Sequence, residues 1–133
     1  MKYWITFLLL FSSLLHAEYK LQPYSSALTA KNIPIVDIRT VGEWKETGIL
    51  KGAIPIEFFN EKGGYDIPAF LKELNAKVDT SKEFALICRT GSRTKMVAQF
   101  LSDELKYKVI DIEGGIMEAA TKQHAPIVAY KGE

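Results

Sequence analysis

One short segment of this chain gathers most of its reactive groups. Cys88-Arg89-Thr90-Gly91-Ser92-Arg93 sets a thiol, two guanidinium groups, two hydroxyls and a glycine within six residues, and Cys88 is the only cysteine. A thiol becomes a strong nucleophile as the thiolate, a form favoured by a helix N-terminus and by neighbouring cations. Arg89 and Arg93 supply the cations. Gly91 permits a tight turn in which successive amides point inward as an anion-binding nest. Such a loop can hold a small anion and attack it with sulfur. Plain packing is the other reading of a lone cysteine at a strand end, because free cysteine buries well. The arginines, the glycine and the hydroxyls beside Cys88 argue against it here.

The flanking elements must hold that loop in place. Phe84-Ala85-Leu86-Ile87-Cys88 is a continuous apolar run, the pattern of a strand buried on both faces. Val97, Phe100, Leu101 and Leu105 then recur at helical spacing, with Met96 beside them, which predicts an amphipathic helix over 92–105. Residues 33–38 read as a β-branched strand ending at Asp37-Ile38. Residues 41–47 read as a short helix closed by Gly48. Residues 53–58 are strand-like, and Pro55 confines them to an edge or an irregular strand. Asp66 precedes a helix over about 68–74, with Pro68 in its first turn. Val109-Ile110-Asp111-Ile112 is a further buried strand, and Gly114-Gly115 turns the chain into a last short helix. Tyr19-Lys20-Leu21 adds a fifth strand at an edge. This alternation predicts a single α/β domain on a mostly parallel five-stranded sheet, with helices on both faces. Ligands of such sheets bind beyond the carboxyl ends of the strands, where the turns after Ile38 and Ile87 fall.

Length and composition narrow the function classes. The 133 residues are 47% apolar and 25% charged, with a formal net charge of +1. That is one globular domain, not a disordered, collagen-like or disulfide-stapled chain. Without a basic excess there is no general attraction for nucleic acid or an anionic membrane. Residues 4–15 are almost wholly apolar, too short for a comfortable membrane span but suited to the middle of a secretory signal. The expectation is a signal peptide over 1–17 cleaved after Ala17, a domain over 18–133, and a periplasmic location free of the membrane after cleavage. An uncleaved anchor is the other reading. Cleavage would remove His16 and leave His124 as the only histidine, which offers no metal cluster, so neither a metal nor an organic cofactor is expected.

The loop resembles the six-residue active-site loop of the rhodanese family of sulfurtransferases. Other segments agree in the same order. Val36-Asp37-Ile38-Arg39 is similar to the family's Asp-x-Arg strand end, and Glu43-Trp44 to its acidic-aromatic pair. Residues 48–54 are similar to its Gly-His-Ile-x-Gly-Ala segment, Glu113-Gly114-Gly115-Ile116 to its Gly-Gly turn, and Pro126-Ile127-Val128 to its closing residues. Ile49 departs from the family's usual histidine, and Ala119 stands near its usual tryptophan. Arg93 follows Cys88 after four residues and Thr94 is not basic. The related phosphatases and arsenate reductases use a wider ring, with five residues between cysteine and arginine.

The resemblance implies a thiosulfate sulfurtransferase acting through a Cys88 persulfide. Its donor would be a small anion such as thiosulfate, and its acceptor cyanide or a thiol. Cys88 would be catalytic, Arg89, Thr90, Gly91, Ser92, Arg93 and Arg39 would bind substrate, and Asp37 would support the loop. Two rivals remain open: a sulfur-carrier or protein-docking module with little free turnover, and a thiol redox sensor. The sensor would need an outside thiol to resolve an oxidised Cys88.

Overall fold

Successive side chains of a strand point to opposite faces, so an unbroken apolar run needs a core on each side of it. In the computed structural model, which describes residues 18–132, that run is the middle of a sheet. The signal segment expected over 1–17 lies outside the described residues. Along the chain run β1 (Lys20–Pro23), α1 (Ser26–Ala30), β2 (Ile35–Asp37), α2 (Val41–Thr47), β3 (Ile49–Leu50) and β4 (Ile54–Pro55). Then follow α3 (Ile67–Lys77), β5 (Phe84–Ile87), α4 (Ser92–Leu105), β6 (Val109–Glu113), α5 (Gly115–Thr121) and β7 (Ile127–Val128). The main sheet has the order β1-β6-β5-β2-β4 and all its pairings are parallel. A second sheet pairs β3 with β7 antiparallel.

Each face of β5 feeds its own core. Phe84, Leu86 and Cys88 pack with Phe70 and Leu74 of α3 and with Val97 and Leu101 of α4. Ala85 and Ile87 pack on the other side with Leu28, Ile110, Ile112, Ile116 and Ala119. The same alternation on β6 sends Ile110 and Ile112 to that second core and turns Asp111 toward α4. Pro55 lies on the edge strand β4, as a residue without an N–H should.

Helix starts divide into two kinds. Ser25, Thr40 and Asp66 cap α1, α2 and α3 with side-chain oxygens, and Thr40 with Glu43 forms a reciprocal capping box. The helices after β5 and β6 instead begin at Gly91 and Gly114, both left-handed and without a side-chain cap. Their leading amides are therefore available to other partners, and those partners belong to the cysteine loop.

The sheet, its edge strands and the bounds of α2 and α4 are as the sequence pattern implies. The chain adds α1 and the β3–β7 pair, and extends α3 to Lys77. Ile49 is buried in β3, and Ala119 is fully buried in the second core, so both departures from the family pattern are packing positions.

Candidate active site

Cys88 follows β5 directly, and its side chain is fully buried. The Gly91 amide donates to Cys88 Sγ at 3.2 Å, and Thr94 Oγ1 lies 3.5 Å from the same sulfur. Thr94 Oγ1 also donates to the Gly91 carbonyl at 3.2 Å, which closes the first turn of α4 around the sulfur. Gly91 has φ +100°, a backbone conformation that glycine reaches without strain. Arg89, Thr90 and Ser92 form an exposed rim above the sulfur.

The first two carbonyls of the loop, those of Cys88 and Arg89, point toward α5. Ile116 N–H donates to Cys88 O at 2.8 Å, and Met117 N–H donates to Arg89 O at 3.1 Å. The uncapped start of α5 thus satisfies these two acceptors, while the Gly91 amide is turned to the sulfur. This approach demands glycine at position 115. Its φ is +61°, and a Cβ there would run into the carbonyl oxygens of Arg89 and Cys88. The Gly-Gly turn is a packing requirement of the cysteine loop.

Arg93 does not reach outward freely. Its Nη1 and Nη2 donate to Glu43 Oε1 and Oε2 at 2.6 and 2.8 Å, a two-point ion pair that ties α4 to α2. The Arg93 hydrogen bonds hold the Glu43 carboxyl down at about 2, with the Thr40 amide adding to the effect against a burial penalty. Arg93 is raised in turn, first by Glu43, with lesser contributions from Cys88 and Asp37. Glu43 stood in the sequence only as part of a family pattern. The signal that it serves the loop is a contact 50 residues away in the chain.

Arg39 has a different task from the substrate binding expected of it. It is 1% exposed, and its Nε and Nη2 embrace the Asp37 carboxylate at 2.8–3.1 Å. Nη1 donates to Thr47 Oγ1 and Nη2 to Gly48 O, both at 2.7 Å. Asp37 also accepts the Arg39 amide at 3.1 Å, so the loop this pair supports is the turn from β2 into α2. An arginine with its guanidinium so engaged and shielded fixes backbone rather than meeting a donor in solution.

Two residues outside the six-residue loop carry no signal for the site in the sequence. Thr94 of α4 is fully buried, and Asp111 of β6 is 2% exposed. Thr94 touches the sulfur, and its hydroxyl also bears on the Asp111 carboxyl.

The model of the rhodanese-like domain family matches residues 21–122. The chain belongs to the rhodanese-like domain family. Among relatives of this rhodanese-like domain is a Bacillus subtilis (strain 168) protein named "Putative sulfurtransferase YtwF". The two are 33% identical over 90 residues, covering 66% of this chain and 76% of that protein. The fold is similar to a rhodanese-related protein of Thermoplasma volcanium, with TM-score 0.62 and 23% identity over 85% of this chain and all of the other. It is also similar to a rhodanese-like domain protein of Staphylococcus aureus, with TM-score 0.56 and 20% identity over 84% and 99% of the two chains.

Proposed function

We propose that this rhodanese-like domain is a sulfurtransferase that carries sulfane sulfur on Cys88, taking it from thiosulfate or a related anion and giving it to cyanide or a thiol. The observation that carries this reading is the Cys88 sulfur inside a loop whose Gly91 amide points at it and whose Cys88 and Arg89 carbonyls are drawn off by α5. Such a pocket favours negative charge on sulfur.

The first step is attack of Cys88 thiolate on the outer sulfur of the donor. A new S–S bond forms, the donor's S–S bond breaks, and sulfite leaves with the bonding pair. The persulfide's outer sulfur then rests under the amides of Thr90, Gly91, Ser92 and Arg93. In the second step the acceptor attacks that outer sulfur, and Cys88 leaves as thiolate. Arg89, exposed at the rim, draws in the anionic donor, while Arg93, pinned by Glu43, keeps the loop in shape. This two-step course implies ping-pong kinetics. With thiosulfate and cyanide varied together, parallel double-reciprocal lines support the reading, and intersecting lines contradict it. The Cys88→Ser variant should show no turnover.

A second reading is favoured by one observation, the complete burial of Cys88. A sulfur carrier that opens its loop only against a partner protein would keep its sulfur covered in this way. Negligible thiosulfate turnover together with sulfur transfer from a persulfidated partner would favour it. The apolar N-terminal run further supports a periplasmic site of action, with small sulfur donors and acceptors rather than nucleic acid or membrane as partners.

A further inference from the structure

Behind the cysteine loop lies a buried carboxylate that the sulfur-transfer steps do not use. Asp111 stands on β6 opposite Leu86 of β5 and Leu21 of β1, is 2% exposed, and turns toward α4. Among the described residues its Oδ1 has no hydrogen-bond partner. A buried carboxylate with one oxygen unpaired is costly, and a strand position beside Leu86 and Leu21 gives no structural reason for one. What it does face is Thr94, whose hydroxyl lies 3.5 Å from Cys88 Sγ.

A hydroxyl has one proton to give, and this one has the Gly91 carbonyl at 3.2 Å and the Cys88 sulfur at 3.5 Å, with the Asp111 carboxyl as a further hydrogen-bond partner. We propose that Asp111 is a positioning residue for the nucleophile, its protonation state deciding through Thr94 whether the Thr94 hydroxyl proton is offered to Cys88. Protonated Asp111 donates to Thr94 Oγ1, and the Thr94 proton is left for the sulfur or for Gly91. Ionised Asp111 takes the Thr94 proton for itself, so the thiolate loses a donor and gains a negative neighbour. Both changes disfavour the thiolate.

Burial pushes the Asp111 carboxyl up from its ordinary range, Thr94 pulls it back in part, Glu113 of the same strand raises it and Lys95 of α4 lowers it. Those two are the charges that bear on it, since β1 and β5 face it with Leu21 and Leu86. Its ionisation therefore falls above the usual aspartate range.

This inference rests on Cys88 being the reacting atom of the proposed function. Its test reads ionisation rather than turnover, so the two can fail separately. The thiolate is followed by ultraviolet absorbance against pH, as the difference from Cys88→Ser, in the wild type, Asp111→Asn, Thr94→Val and the double variant. Asparagine is close in shape and offers an N–H to Thr94 at every pH, imitating the protonated acid. Asp111→Asn should hold more thiolate than the wild type at a given pH, about threefold or more on the rising limb, the scale of a neighbouring charge. In the Thr94→Val background the Asp111→Asn substitution should have no effect. Equal curves for wild type and Asp111→Asn overturn the proposal, as does an Asp111→Asn effect that survives in Thr94→Val. The unsubstituted chain gives a parallel reading by carbon NMR. The Asp111 carboxyl midpoint should move when Cys88 is alkylated, and an unmoved midpoint overturns the proposal even where a variant does not fold.

Discussion

Arg93 on α4 and Glu43 on α2 meet through two parallel hydrogen bonds of 2.6 and 2.8 Å. The contact fastens the closing residue of the cysteine loop to the helix that follows β2, and it also cancels the Arg93 charge locally. The described ion pairs engage Arg93 and Arg39 with carboxylates but not Arg89. The attraction for an anionic donor therefore falls on Arg89 at the exposed rim.

Removing the Glu43 charge should loosen this fastening without undoing the helix start. Glu43→Gln keeps a side chain able to complete the capping box with Thr40, so the ion pair is isolated. At neutral pH the variant should lose about 1–2 kcal/mol, after solvent screening of a partly exposed pair. The Glu43 carboxyl is depressed from 4.5 to about 2, so its contribution is fully present above pH 4.5 and lost as pH falls through about 2. Denaturant titrations at a series of pH values should show the two proteins converging in acid. A constant difference down to the lowest pH would contradict the ion-pair account.

Gly115→Ala should damage stability and the site together. A Cβ would strike the Arg89 and Cys88 carbonyls, at a position whose φ already disfavours side chains. The expected loss is about 2 kcal/mol or more, from strain and disrupted amide bonds. Thermal unfolding checks the first effect and thiosulfate turnover the second. A variant of wild-type stability and activity would show that the α5 contact is not what shapes the loop.

The two arginines at strand ends should separate cleanly. Arg39→Met leaves the buried Asp37 carboxylate without its cation and Thr47 Oγ1 without the Arg39 donor, which should cost roughly 3–5 kcal/mol. Arg89→Ala, at an exposed position, should stay within about 0.5 kcal/mol of the wild type. It should instead raise KM for anionic donors several-fold, an effect that shrinks as salt rises. Unfolding curves and donor kinetics at low and high ionic strength distinguish these outcomes.

Much of this arrangement could be read along the chain because it is local. The bounds of α2 and α4 follow from a cap, a glycine stop and a helical apolar period within one window. The cysteine loop is six consecutive residues. The β3–β7 pair, in contrast, joins two-residue segments far apart in sequence, too short for any periodicity. The helix α1, five residues long, carries only its Ser25 cap as a signal. In the site, Glu43 and Asp111 went unrecognised as partners of the loop because each acts across a tertiary contact. The surroundings of Arg39 were not legible either, because a charge in sequence does not show whether it will be solvated or closed in by Asp37, Thr47 and Gly48.

Residence of sulfur on Cys88 is the claim from which the rest follows, and intact-protein mass spectrometry observes it directly. After incubation with thiosulfate and removal of excess reagent, the protein should be heavier by a single sulfur atom, and cyanide should return it to its starting mass. Cys88→Ser should gain nothing. An unchanged mass for the wild type, or an equal gain in Cys88→Ser, would contradict the account.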